Sequence, residues 1–198
     1  PLLPKHHHHF THCLLRCVQS TERVFHLSVV YGWNQEETSL VFASEKGYLK
    51  TVKFLVSRGA DMHAGNDEAL ICASGYGHLG VVKYLVEKGA NIHDYTLIHA
   101  SEYGHLEVVK FLISKGVDVH ADNDDALIHA SRSGCSEVVK YLVESGADVH
   151  ARNDRALRQA SKHGHLEVTQ FLISKGADVH AQYNESLICA SENGHLDV

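Results

Sequence analysis

Apolar residues fall along this chain in two kinds of helical stripe, and the pair of stripes recurs about every thirty residues. In Leu106–Ile113 the apolar positions are Leu106, Val109, Leu112 and Ile113, offsets of three and four that share one side of a helix. Glu107 and Lys110 fall on the other side as an exposed pair that adds little. A shorter stripe precedes each such block. In Asp125–Ser133 it consists of Leu127, Ala130 and Ser131, mostly small residues that let a neighbouring helix come close. The second helix of that unit is expected from Ser136 to about Ser145. Gly134 and Gly116 stand where a helix ends in a left-handed residue. The link between units carries Asp-Val-His-Ala and a few polar residues. It lacks helical periodicity and reads as an extended loop or an abbreviated hairpin.

The glycines of Gly-Ala-Asp-Val-His-Ala set the register: Gly59, Gly89, Gly116, Gly146 and Gly176, in steps of 30, 27, 30 and 30 residues. The short step falls where His93 is followed at once by Asp94-Tyr95-Thr96-Leu97, a deletion in a loop that leaves helix spacing intact. Self-similarity at this period signals a repeat architecture, in which stacking buries a face that no single unit could bury. Residues 35–198 read as five full units and a truncated sixth. Residues 1–34 do not align and are either a decayed capping repeat or an unrelated upstream segment. The chain opens at Pro1 and stops at Val198 within Gly-His-Leu-Asp-Val, which reads as a fragment of a longer array.

Three blocks carry a resemblance. They are Gly-His-Leu-Glu-Val-Val-Lys at 104–110 and its variants, Gly-Ala-Asp-Val-His-Ala, and Ala-Leu-Ile-x-Ala-Ser at 69–74 and 126–131. Together they resemble ankyrin repeats over Gln35–Val198. The resemblance implies an all-α solenoid of stacked helix-turn-helix units, here with shortened inter-repeat loops. The family's Thr-Pro-Leu-His becomes Asp125-Ala126-Leu127-Ile128 or Glu68-Ala69-Leu70-Ile71, so its histidine is replaced by Ile71, Ile98, Ile128 and Ile188. The short units, with Asn-Asp-x-Ala-Leu and Ala-Ser, look like those of the ankyrin-repeat proteins of giant DNA viruses of amoebae. The family implies protein–protein recognition, with a viral factor acting on host proteins as the narrower form. The alternative is a non-catalytic regulatory or scaffold arm of a larger protein.

Charge and composition narrow the partners. A net charge of −6 gives no general nucleic-acid footprint, and no apolar run is long enough to span a bilayer. Five cysteines without regular pairing suit a reducing compartment, which places the chain inside the cell, in the cytoplasm of a host if the source is viral.

Candidate chemistry is sparse. Eighteen histidines invite a metal reading, but His63, His93, His120, His150 and His180 form one column. Stacked layers lie about 8–10 Å apart, whereas zinc holds nitrogen at about 2.0–2.1 Å. A structural role for that column follows. The set His9, His12, Cys13 and Cys17 has suitable ligand types at a spacing that matches no strong zinc pattern. Ser74, Ser101, Ser131 and Ser161 are one repeated packing position, and the glycines are spaced as helix ends rather than as a phosphate cradle. The reading is therefore non-enzymatic, with no catalytic residue, metal, cofactor or small-molecule substrate.

What varies while the scaffold repeats is the stripe Asp125, His129, Arg132, at offsets of four and seven on the first helix. In ankyrin proteins the first helices line a concave, partner-binding face. Along that face Tyr76 and Tyr103 are equivalent in adjacent units. Arg132, Arg155, Lys162 and His163 make a basic island between acidic units. Aromatic and arginine residues are the enriched anchors of interfaces. The candidate partner-binding residues are Tyr76, Tyr103, His129, Arg132, Arg155, Gln159, Lys162 and His163. One unit breaks its own rules: Arg158 replaces an isoleucine and Thr169-Gln170 replaces Val-Lys. Either the arginine head reaches solvent or this layer is the weak joint of the stack.

Overall fold

The computed structural model describes residues 35–198, which form eleven α-helices and no strand. In order they are α1 (Gln35–Glu45), α2 (Leu49–Ser57), α3 (Ala64–Gly75), α4 (Leu79–Glu87), α5 (Asp94–Glu102), α6 (Leu106–Ser114), α7 (Ala121–Arg132), α8 (Ser136–Glu144), α9 (Ala151–Lys162), α10 (Leu166–Ser174) and α11 (Ala181–Glu192). Odd-numbered helices stack on one another in one layer, even-numbered helices in a second, and each pair packs across the layers. Residues 1–34, with the candidate set His9, His12, Cys13 and Cys17, lie outside the described residues.

The core is a ladder of equivalent side chains. Leu70, Leu97, Leu127 and Leu157 of the first layer meet Leu85, Leu112, Leu142 and Leu172 of the second, all buried. Burial of one such leucine contributes about 2 kcal/mol, and each unit supplies only half of the contact. The first layer is tied together by small residues: Ala73, Ala100, Ala130 and Ala160, with Ser74, Ser101, Ser131 and Ser161, are buried throughout. The odd helices therefore pack more closely than the even ones.

The links between units are not extended. In α7 the residues Asp122, Asn123 and Asp124 have φ of 52°, 55° and 62°, a single left-handed turn that leads straight into the helix. The same turn recurs at Gly65-Asn66-Asp67, Arg152-Asn153-Asp154 and Gln182-Tyr183-Asn184. Non-glycine residues are strained there, so something must hold them. In three of the four turns the closing aspartate does so; in the fourth Asn184 stands in its place, with its side-chain oxygen 2.6 Å from His180 Nδ1. Asp124 is buried and accepts from His120 Nδ1 at 3.0 Å and from the backbone N–H of Asp148, in the next unit, at 2.9 Å. Asp154 repeats this with His150 (2.9 Å) and Asp178 N (2.9 Å). Asp67 takes His63 Nδ1 (2.9 Å), Asn91 N (3.0 Å), Asn91 Nδ2 (3.2 Å) and His93 Nε2 (3.1 Å). His63, His93, His120 and His150 of the histidine column are thus carboxylate-bound joints. Where the sequence loses three residues, the left-handed turn is what disappears: His93 is extended, with ψ 158°, and α5 starts directly at Asp94.

A second column locks the other end of the long helices. His78 Nε2 donates to Glu45 O, His105 Nε2 to Gly75 O and His165 Nε2 to Arg132 O, at 2.8, 2.8 and 2.9 Å. Each ring lies over the glycine that ends the previous unit's long helix, Gly47, Gly77 and Gly134 in turn. Cys135 takes this place over Gly104, with its thiol toward Glu102 O at 3.5 Å.

In the fifth unit, Arg158 does not send its head into water. Its side chain is 16% exposed and NH1 donates to the Glu185 carboxylate of the next unit, while Nε is buried without a partner. Thr169 sits where Val82, Val109 and Val139 sit, 3% exposed, and its hydroxyl has no partner. A buried hydroxyl left unpaired costs about 1–3 kcal/mol. Thr169→Val is therefore expected to raise unfolding stability by about 1 kcal/mol, read from the urea midpoint. A lower midpoint would mean that the hydroxyl is satisfied in solution.

Candidate functional site

The candidate face consists of the solvent side of the odd helices and the residues just after them. Small buried side chains fix where each helix lies, and His78, His105 and His165 hold the ends of α1, α3 and α7. Tyr76 and Tyr103 are the capping residues that follow α3 and α5. Their position at the edge of the turn leaves them 57% and 60% exposed. Tyr95, in the first turn of α5, is 62% exposed. It lies on the variable stripe but is not among the candidate partner-binding residues named from the sequence. Its signal was a large aromatic at a position where neighbouring units place Glu68 and Asp125.

The tyrosines are supported rather than isolated. The Tyr76 ring stacks on His78 at 6.5 Å, with the Lys46 ammonium 5.9 Å from its centre. Lys46 also faces Phe42 at 5.7 Å and bonds Glu45 at 2.6 Å, and that hydrogen bond holds its ammonium above the usual lysine range. Tyr103 tilts against His99 at 6.3 Å, and its ring edge approaches Gly75 of the preceding unit. Burial, aided by Glu68 and Glu45, pushes the Cys72 thiol on this stripe upward, so little of it is thiolate at neutral pH.

The basic island is smaller than the sequence implied. Arg132 NH2 donates to Glu102 Oε1 at 2.5 Å, and His129 Nδ1 lies 3.6 Å from the same carboxylate, beyond hydrogen-bond reach. Arg132 is thereby neutralised by the unit before it. On α9, Arg155 and Lys162 are exposed and meet no carboxylate among the described residues. Gln159 lies between them and is half-buried; its backbone carbonyl accepts from His163 Nδ1 at 2.9 Å. The His163 ring stacks on His165 at 6.2 Å, and His165 holds the Arg132 carbonyl. Arg132, Gln159, His163 and His165 thus form one connected edge, beside which Arg155 and Lys162 project freely.

Among the described residues, no three histidine, cysteine, aspartate or glutamate side chains converge to hold a metal ion. No described helix is long and apolar enough to cross a membrane.

Comparison with protein families finds a model for ankyrin repeats (three copies) that matches residues 14–96 and 92–153, and one for ankyrin repeats (many copies) that matches residues 157–198. Among curated proteins none matches the chain.

Proposed function

The chain belongs to the ankyrin-repeat family, whose repeats are generally protein–protein interaction modules, and we propose that it binds a partner protein on its concave, odd-helix face. The observation that carries this reading is the trio Tyr76, Tyr95 and Tyr103. Three tyrosines stand exposed on two adjacent units, at 57%, 62% and 60%. Exposed aromatics on a rigid scaffold are the residues interfaces use as anchors. His129, Arg132 and Gln159 flank them as adaptable polar contacts, with Arg155, Lys162 and His163 at the basic end.

The similarity of the short units to those of giant-virus ankyrin proteins supports placing the partner among host proteins. Cys72, Cys135 and Cys189 are free thiols, which supports a reducing, cytoplasmic setting.

A pull-down comparing the native chain with Tyr76→Ala/Tyr103→Ala/Arg132→Ala/Lys162→Ala tests the face, after circular dichroism confirms that both fold. All four positions are solvent-facing, so the variant is expected to keep its helical signal. Loss of capture by about tenfold or more is the expected result. Equal capture by both proteins would move recognition off this face.

A further inference from the structure

We propose that Arg155 and Lys162 on α9 form an acceptor for an acidic segment of the partner, with Glu102 holding Arg132 in reserve; this rests on the concave-face reading above. The observation is a pattern of pairing. The other arginines and lysines on or capping the described odd helices are committed within the protein. Lys46 bonds Glu45 (2.6 Å), Arg132 bonds Glu102 (2.5 Å), Arg152 bonds Asp125 (2.9 Å) and Arg158 bonds Glu185. Among the described residues Arg155 and Lys162 have no carboxylate within ion-pair distance, although Asp125 and Glu185 lie on the flanking helices.

The two cations sit seven residues apart on one helix face, so their Cα atoms are about 10 Å apart along the axis. An extended chain rises about 3.3 Å per residue. A partner segment along α9 would therefore meet both cations with carboxylates about three residues apart. Gln159, midway, offers a side-chain amide between them. The guanidinium of Arg155 suits a bidentate carboxylate contact, and the Lys162 ammonium a point charge. Among the described residues no carboxylate must be displaced first.

Arg132 differs. A carboxylate arriving beside it competes with Glu102 for the same guanidinium. Glu102 is only 18% exposed and also faces His129. It therefore sets how much of the basic end is offered. Removing its charge while keeping its shape should release Arg132 and extend the acceptor by one cation.

The test starts from affinity selection of short random peptides on the native chain. Selected peptides are titrated against the native chain, R155A/K162A, E102Q and Y76A/Y103A, each confirmed folded. The expected selection is rich in aspartate and glutamate. R155A/K162A is expected to weaken binding about tenfold, and E102Q to strengthen it about threefold. Added salt should weaken binding to the native chain more than to R155A/K162A. A selection with no acidic excess, or affinities unchanged in R155A/K162A, would overturn the acceptor. If those peptides were still lost in Y76A/Y103A, the concave-face reading would stand without it. Peptides indifferent to both sets of changes, or no selected peptide at all, would overturn both. Unchanged affinity in E102Q would remove Arg132 and its latch from the site.

Discussion

Replacing Asp67 with alanine is expected to lower unfolding stability by about 3–4 kcal/mol. Its carboxylate is 2% exposed and gathers four donors from His63, Asn91 and His93. It also closes the left-handed turn, at φ 60°, and bridges to the following unit. Alanine leaves the Asn91 N–H without its acceptor and the turn without its anchor. Asp154→Ala should cost less, about 2 kcal/mol, because Asp154 collects only His150 and the Asp178 N–H. Urea midpoints of the two variants decide the matter. Equal losses would mean that the extra donors at Asp67 contribute nothing.

The same carboxylate fixes a pH dependence. Burial alone would push its pKa up, but the bonds from the Asn91 backbone, His93, the Asn91 amide and His63 outweigh it and hold it below the ordinary 3.8. A group depressed in the folded state stabilises fully above its unfolded value and loses that contribution as pH falls through the folded one. The native chain should therefore lose stability below about pH 4 more steeply than Asp67→Asn, which has no carboxyl to protonate. Parallel acid curves for the two would exclude Asp67 as the source.

The helices were legible because their stripes are long and regular. The segment expected from Ser136 to about Ser145 is α8, Ser136–Glu144, and Gly134 and Gly116 end their helices at φ +73° and +88°. The left-handed turns were not legible. Asn123 and Asp124 tolerate that region, but Arg152 and Tyr183 have no such preference and adopt it because of their surroundings. The candidate face is proposed from the stripe that varies while the rest repeats. Its electrostatics were not legible, because the pairs that set them join different units. Glu102 with Arg132 and Arg158 with Glu185 are about thirty residues apart, and a helix periodicity says nothing about which side chains meet across a stack.

Gly134→Ala is expected to cost about 3 kcal/mol, and Gly116→Ala only about 1–2 kcal/mol. Both residues are left-handed, so both alanines meet the same backbone strain. The difference lies above them. A Cβ at Gly116 meets nothing within 4 Å, whereas one at Gly134 would stand 2.5 Å from His165 Nδ1 and 2.7 Å from its Cε1. The ring cannot swing aside freely, because its Nε2 is bonded to Arg132 O. Removing the ring in Gly134→Ala/His165→Ala should therefore recover part of the loss, a coupling that a double-mutant cycle reads directly. Equal costs at the two glycines, or no coupling to His165, would mean that the ring does not lock the joint. A measurable coupling would also bear on recognition. The carbonyl that His165 holds belongs to Arg132, and the neighbouring ring that stacks on it is His163. The joint between units and the basic edge of the face are thus fixed by the same side chain.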